Sequence, residues 1–179
     1  MLIKLQTSLV LIALILSPAT ASAEDNIELQ RLFESDQNAR RNADIDWDEL
    51  SVLDKENRTK VSAMLAQGEI KTGLDYFHAA VIFQHGDSVD DIRLAHSFAT
   101  IAAHLGFDRA TWMQAASWDR LLMYFDQPQW YGTQFKIDDD GQWHLYDIQE
   151  GAVTDEQRAE WRVPSLAESK ARAEQQNQN

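Results

Sequence analysis

The sequence predicts a mainly α fold, an antiparallel helical bundle or repeat-like array of about five to seven helices with one docked β-hairpin. Apolar residues recur at helical spacing through most of residues 25–125, and Gly68, Gly86 and Gly106 end three of these runs. Connectors of about two or three residues favour antiparallel neighbours in the middle of this region. After Pro128 apolar and polar residues alternate around Asp140-Gly141, which predicts the hairpin near residues 131–148.

The N-terminus indicates export. An apolar run from Leu9 to Leu16 is followed by Pro18 and by a tripeptide of small residues that ends at Ala23. This pattern predicts a signal peptide over residues 1–23 that is cleaved after Ala23. An uncleaved anchor is the alternative, but the run is far shorter than the roughly 20 residues that cross a bilayer. We therefore expect a periplasmic or secreted protein with no membrane span after processing.

Composition bounds the remaining chain. About 155 residues suit one domain, and we predict a helical domain over residues 24–164, then a terminal helix and disordered tail over 165–179. The formal net charge of the whole chain is −13, which disfavours binding to nucleic acid and passive adhesion to anionic membranes. The absence of cysteine excludes disulfides, a thiol nucleophile and thiolate metal ligands.

Short polar motifs mark the first two helices. Asp25 and Glu28 are spaced as a capping box, which predicts a first helix running to about Ala43. A second helix is predicted from about Asp54 to Gln67, after an acidic connector.

The same spacing marks the later helix starts. Thr72 with Asp75 opens a third helix, Ser88 with Asp91 a fourth, and Asp108 is expected to cap a fifth. Two final helical pieces are predicted at Thr154 with Gln157 and at Ser165 with Glu168.

The predicted fifth helix carries two charges in an apolar setting. It is apolar on most sides, so we expect it to be central, and Asp119 and Arg120 lie in its middle. Adjacent helical residues point about 100° apart, so each charge needs a partner elsewhere in the fold. Asp36 and Asp87 are the candidate partners of Arg120, and Asp36 is preferred because its helix also carries Arg40.

Four motifs collect the unusual polar residues. They are DQxxR, QH, DR and QxYGTQ, formed by Asp36, Gln37 and Arg40; Gln84 and His85; Asp119 and Arg120; and Gln129, Tyr131, Gly132, Thr133 and Gln134. In this order they resemble a bacterial family classed only as a domain of unknown function. The resemblance covers about three quarters of the mature chain, and QxYGTQ is its most specific part. Members often have Gly-Trp-Pro before the third helix, where this chain has GEIKTG. The resemblance implies a shared polar site but no reaction, cofactor or catalytic residue.

These residues suit either chemistry or packing. His85 is suited to act as a general base, and Asp119 is suited to orient it. Arg120 is suited to bind a carboxylate or phosphate group of a substrate. The expected substrate-binding residues are Asp36, Arg40, Gln84, Gln129, Tyr131, Thr133 and Gln134. In the alternative interpretation Asp119 caps backbone amides of the QxYGTQ segment, Arg120 pairs with Asp36, and the network only fixes the fold. The i,i+4 spacing of Asp36 and Arg40 alone predicts an ordinary surface pair.

Two functions follow from the sequence. One is an exported binding or interaction module for a small polar or anionic ligand or a periplasmic protein partner. The other is a cofactor-independent hydrolase that uses His85 as general base and Arg120 as substrate clamp. We expect no cofactor and no metal, because the chain has no HxxxH or HExxH motif and DDDG lacks the register of a calcium loop.

Overall fold

A computed structural model describes residues 23–41 and 45–178, so the predicted signal peptide lies almost wholly outside the described residues. The fold is mainly α with one antiparallel hairpin, which confirms the predicted fold class. The described elements are α1 Ile27–Ala39, α2 Trp47–Ala66, α3 Gly73–Gln84, α4 Val89–His104, α5 Ala110–Tyr124, β1 Phe135–Ile137, β2 Trp143–Leu145, α6 Asp155–Glu160 and α7 Leu166–Gln176. None of these helices combines the length and hydropathy needed to cross a membrane.

The central helix is α3. Every side chain from Phe77 to Gln84 is buried, and α3 contacts α1, α2, α4 and α5. Alanines at its interfaces, such as Ala79 and Ala80, let neighbouring helices approach closely. The prediction that α5 is the central helix is wrong, because Trp112 and Tyr124 on α5 are each 37% exposed.

Local capping motifs set several helix starts. The capping boxes predicted at Thr72–Asp75, Thr154–Gln157 and Ser165–Glu168 are all formed, and Ser88 caps α4. Two other predicted caps are wrong: Asn26, rather than Asp25, accepts the Leu29 N–H at 3.0 Å, and α5 begins without a side-chain cap. Asp108 instead accepts an N–H from Arg162 at 2.8 Å.

The second helix starts earlier than its sequence pattern suggests. Asp46 Oδ1 accepts the N–H groups of Asp48 at 3.0 Å and Glu49 at 3.1 Å, so the predicted acidic connector forms the first turns of α2. Trp47, the first residue of α2, is 71% exposed. The true inward face of α2 includes Leu50, Asp54, Asn57, Arg58 and Val61.

The hairpin docks on the C-terminal helix. β1 and β2 pair Phe135 with Leu145 and Ile137 with Trp143. Asn177 Oδ1 accepts the Trp143 N–H at 2.7 Å, and Asn177 Nδ2 donates to the Trp143 carbonyl at 3.0 Å. The prediction of a disordered tail is therefore wrong up to residue 178. Helix α7 continues to Gln176, and the side-chain amide of Asn177 holds the end of α7 against β2.

Candidate functional site

Asp36 is a fully buried carboxylate at the junction of α1 and α3. It accepts hydrogen bonds from Gln37 Nε2 at 2.9 Å and Arg40 Nη1 at 2.9 Å, and its Oδ1 lies 3.0 Å from His85 Nδ1. A buried carboxylate is strongly destabilising without such partners. Asp36 and Arg40 do form the predicted ion pair, but the prediction that the pair lies on the surface is wrong. The Asp36 carboxylate is fully buried beneath α3.

Arg40 extends this network to the second helix. Its Nη2 donates to Asp54 Oδ1 at 2.8 Å and to Asp54 Oδ2 at 2.7 Å, while Nη1 remains on Asp36. One guanidinium therefore bridges two carboxylates on different helices. This geometry uses the planar fork of arginine, which lysine does not have.

Arg58 on α2 was missed by the sequence interpretation. It is buried, donates to the His85 carbonyl at 3.3 Å, and pairs with Asp87 at 3.2 Å and Asp91 at 3.5 Å. A signal did exist, because Arg58 lies at helical spacing from the buried apolar side chains of α2. A charge on such a face indicates a specific partner.

A cavity of about 250 Å³ opens beside this network. Its walls are formed by Arg40, Trp47, Leu50, Ser51, Asp54, Arg58, His85, Asp87 and Arg120. We call it the Arg120 cavity. His85 and Arg120 therefore meet at one concave site, as the proposed chemistry requires.

Arg120 lacks the carboxylate partner that the sequence predicts. Its Nε is buried without a hydrogen-bond partner, and its guanidinium forms no ion pair with any described residue. The predicted pairing with Asp36 is wrong because Arg40 and His85 occupy that carboxylate, and Asp87 pairs with Arg58. Burial, and then the charge of Arg40, lower the pKa of Arg120.

Asp119 faces away from this cavity. Its Oδ1 accepts the N–H groups of Trp130 at 2.9 Å and Tyr131 at 3.0 Å, and its Oδ2 accepts the N–H and O–H of Thr133 at 3.1 and 2.8 Å. Burial raises the pKa of Asp119, and these four donors oppose that shift. Asp119 is therefore not the orienting carboxylate of His85, and Asp36 holds that position.

The QxYGTQ segment is fixed by its own side chains. Gln129 is fully buried, donates to the carbonyls of Gln134 and Tyr146 at 2.9 Å each, and accepts the Gln134 N–H at 2.8 Å. Gly132 has a φ of +87°, a backbone conformation that is strained for residues with a side chain. The carbonyl of Tyr131 accepts a hydrogen bond from Arg158 Nε at 2.9 Å. None of the motif's side chains lines the Arg120 cavity.

Gln84 and Gln134 meet at one carbonyl. Gln84 Nε2 donates to the Ala116 carbonyl at 3.2 Å, and Gln134 Nε2 donates to the same oxygen at 3.1 Å. The Oε1 atom of Gln84 is buried and has no partner. Two of the predicted ligand-binding glutamines are thus adjacent, and one retains an unused acceptor.

The described residues contain no group of three or more histidine and acidic side chains placed to hold a metal ion. A scan against protein-family models and searches of curated proteins and of solved structures find no match. The family resemblance therefore stays a prediction, and the geometry alone carries the functional argument.

Replacing Asp119 with asparagine tests its structural role. Asp119→Asn places an NH2 group against N–H donors, so we expect the free energy of unfolding to fall by about 2–4 kcal/mol. Urea unfolding measures this change. Asp108→Asn, at an exposed ion pair, is the control and should change stability by less than about 1 kcal/mol. Equal effects of the two substitutions would contradict the assigned role of Asp119.

Proposed function

We propose that the protein is an exported binding module that holds a small organic anion in the Arg120 cavity. The observation that carries this proposal is the partly buried guanidinium of Arg120, which has no anionic partner among the described residues. An unpaired charge in such a setting is costly, and a carboxylate or phosphate group of a ligand would compensate it.

The other guanidinium groups of the cavity make Arg120 distinctive. Arg40 is bound by two carboxylates and Arg58 contacts two others. Their charges are neutralised within the protein, so they shape the wall of the cavity. Arg120 is the lining arginine with no carboxylate partner among the described residues, so we expect an incoming anion to bind closest to it.

The cavity also limits the ligand's size and character. A volume of about 250 Å³ is below the roughly 300–1,000 Å³ of pockets that bind drug-sized molecules. Trp47 and Leu50 also line the cavity and supply apolar surface. These features favour a short carboxylate or phosphate monoester with a small apolar body.

Substitution of Arg120 tests the proposal directly. Titration calorimetry with butyrate and with inorganic phosphate should show which oxyanion binds wild type. Arg120→Gln should weaken that binding about 10- to 100-fold, since a hydrogen bond to a charged group contributes about 1.5–3 kcal/mol. The affinity of Arg120→Lys should lie between those of wild type and Arg120→Gln, because lysine keeps the positive charge but lacks the planar guanidinium fork.

A stability measurement separates binding from packing. Without ligand, Arg120→Gln should leave the free energy of unfolding unchanged or raise it, because it removes an unpaired charge. Arg93→Gln is a matched control, since Arg93 is exposed and pairs only with Asp90 on the surface. A large loss of stability in Arg120→Gln, or equal binding by wild type and both variants, would contradict the proposal.

Hydrolysis is the second candidate function. Its supporting observation is the contact of His85 Nδ1 with buried Asp36 at 3.0 Å, beside Arg120 in the same cavity. A histidine oriented in this way is suited to remove a proton from water as it attacks an ester, while a guanidinium holds an acidic substrate. Asp36 replaces Asp119 as the orienting group in this mechanism.

His85→Ala tests the hydrolase. If wild type hydrolyses p-nitrophenyl acetate or p-nitrophenyl phosphate, the substitution should lower the rate at least about 100-fold, as loss of a general base does. His104→Ala removes an exposed histidine and is the control. Hydrolysis that is equally fast in both variants would exclude His85 as the base.

Export is the remaining part of the proposal. The apolar run and the small residues before Glu24 support a cleaved signal peptide. The intact mass of the protein from the periplasmic or secreted fraction should correspond to a chain that begins at Glu24. A membrane-bound product that retains Met1 would contradict export by this route.

A further inference from the structure

A second cavity, of about 620 Å³, lies between α1, α3, the start of α5 and the C-terminal segment. Phe33 and Gln37 come from α1, whereas Phe77, Val81, Gln84 and His85 come from α3 and its C-terminal end. We call this space the aromatic cavity. It is more than twice the volume of the Arg120 cavity and falls in the range typical of sites for organic ligands.

The charge of the aromatic cavity is positive although the whole chain is acidic. Arg109, Arg162 and Arg172 line it, and none of its described lining residues is an aspartate or glutamate. Arg162 pairs with Asp108 outside the lining, where both side chains are largely exposed. Arg172 forms no ion pair in the described part of the chain. The guanidinium groups of Arg109 and Arg172, which are both exposed at the mouth of the cavity, would therefore meet an anionic group without a competing carboxylate.

Three aromatic side chains form part of the remaining wall. Phe33, Phe77 and Trp112 line the cavity, and the guanidinium of Arg109 lies 5.2 Å from the centre of the Phe77 ring. Planar ligands pack against such rings with little loss of side-chain freedom. Trp112 is a large apolar side chain left partly exposed, which a bound ring would cover.

One buried polar group lacks a partner in this wall. Gln84 is only 7% exposed, its Nε2 donates to the Ala116 carbonyl, and its Oε1 accepts no hydrogen bond. Buried amide oxygens are normally paired. The amide of Gln84 is therefore a polar group of this wall whose acceptor is unused.

We propose that the aromatic cavity binds an aromatic organic anion, with its acidic group held by the guanidinium groups and its ring against the aromatic wall. This site goes beyond the proposed function, because its ligand is larger and its charged residues differ from Arg120. His85 is the residue that lines both cavities.

Two fluorescent probes with the same ring system test the charge requirement. They are 1-anilinonaphthalene-8-sulfonate and N-phenyl-1-naphthylamine, which lacks the sulfonate. The folded full chain should bind one equivalent of the sulfonate more tightly than the neutral probe. Arg109→Gln combined with Arg172→Gln should weaken sulfonate binding at least about tenfold and leave binding of the neutral probe nearly unchanged.

The control pair is Arg31→Gln with Arg93→Gln. Both arginines are exposed and lie outside the two cavities, so this pair matches the change in net charge. It should alter sulfonate binding less than about twofold, through the long-range field alone. Equal losses in the two double variants would overturn the proposal.

Two further variants locate the probe. Trp112→Ala should weaken binding of both probes by removing part of the shared aromatic wall. Arg120→Gln should leave sulfonate binding unchanged, even where it weakens binding of butyrate or phosphate. The proposal for the aromatic cavity can therefore fail while the proposal for the Arg120 cavity holds, and the reverse. Loss of sulfonate binding in Arg120→Gln, or unchanged binding of both probes in Trp112→Ala, would overturn the aromatic cavity as the site.

Discussion

The buried carboxylate of Asp36 is the constraint on which the site's architecture depends. A fully buried negative charge requires several donors, and here they come from its own helix and from His85 at the end of α3. Arg40 then carries the network to Asp54 on α2. Three helices are therefore held at fixed positions around one charge. The Arg120 cavity opens beside these helices, so its shape depends on the same network.

Two adjacent residues of α5 contact different parts of the molecule. Asp119 accepts four hydrogen bonds from the segment that follows α5, whereas Arg120 faces the cavity without an ion pair in the described chain. Their side chains diverge because neighbours on a helix are about 100° apart. Because its hydrogen-bonding capacity is used within the protein, the Asp119 carboxylate behaves as part of the core. The Arg120 guanidinium has no ion-pair partner in the described chain, as expected of a binding group, because such groups are often not optimised for stability.

The features predicted correctly from sequence are mostly local. The Thr72–Asp75 capping box was predictable because both partners lie within one turn. We expected His85 and Arg120 at one site, and both line the Arg120 cavity. Asp119 also caps the loop, as one of the two interpretations held.

The features that the sequence did not reveal depend on tertiary packing. Asp36 and Arg40 were recognised as a pair, but their burial depends on α2 and α3 lying over them. The Arg120 partner was assigned wrongly because several cations compete for Asp36, and spacing along the chain does not rank them. The start of α2 was placed late because Trp47 points to solvent and breaks the apolar period. The aromatic cavity joins distant segments, so no single stretch of sequence signals it.

The acidic surface and the cationic cavities act on anions over different distances. A net charge of −13 repels anions in general, but salt screens this repulsion beyond about 8 Å under physiological conditions. Contacts within a partly buried cavity are screened much less. A small anion that reaches the partly buried Arg120 would shield its charge from solvent, whereas the exposed arginines of the aromatic cavity would hold an anion at its rim. A large polyanion would keep most of its charge facing the acidic surface, so the same charge distribution that permits a small anionic ligand disfavours nucleic acid.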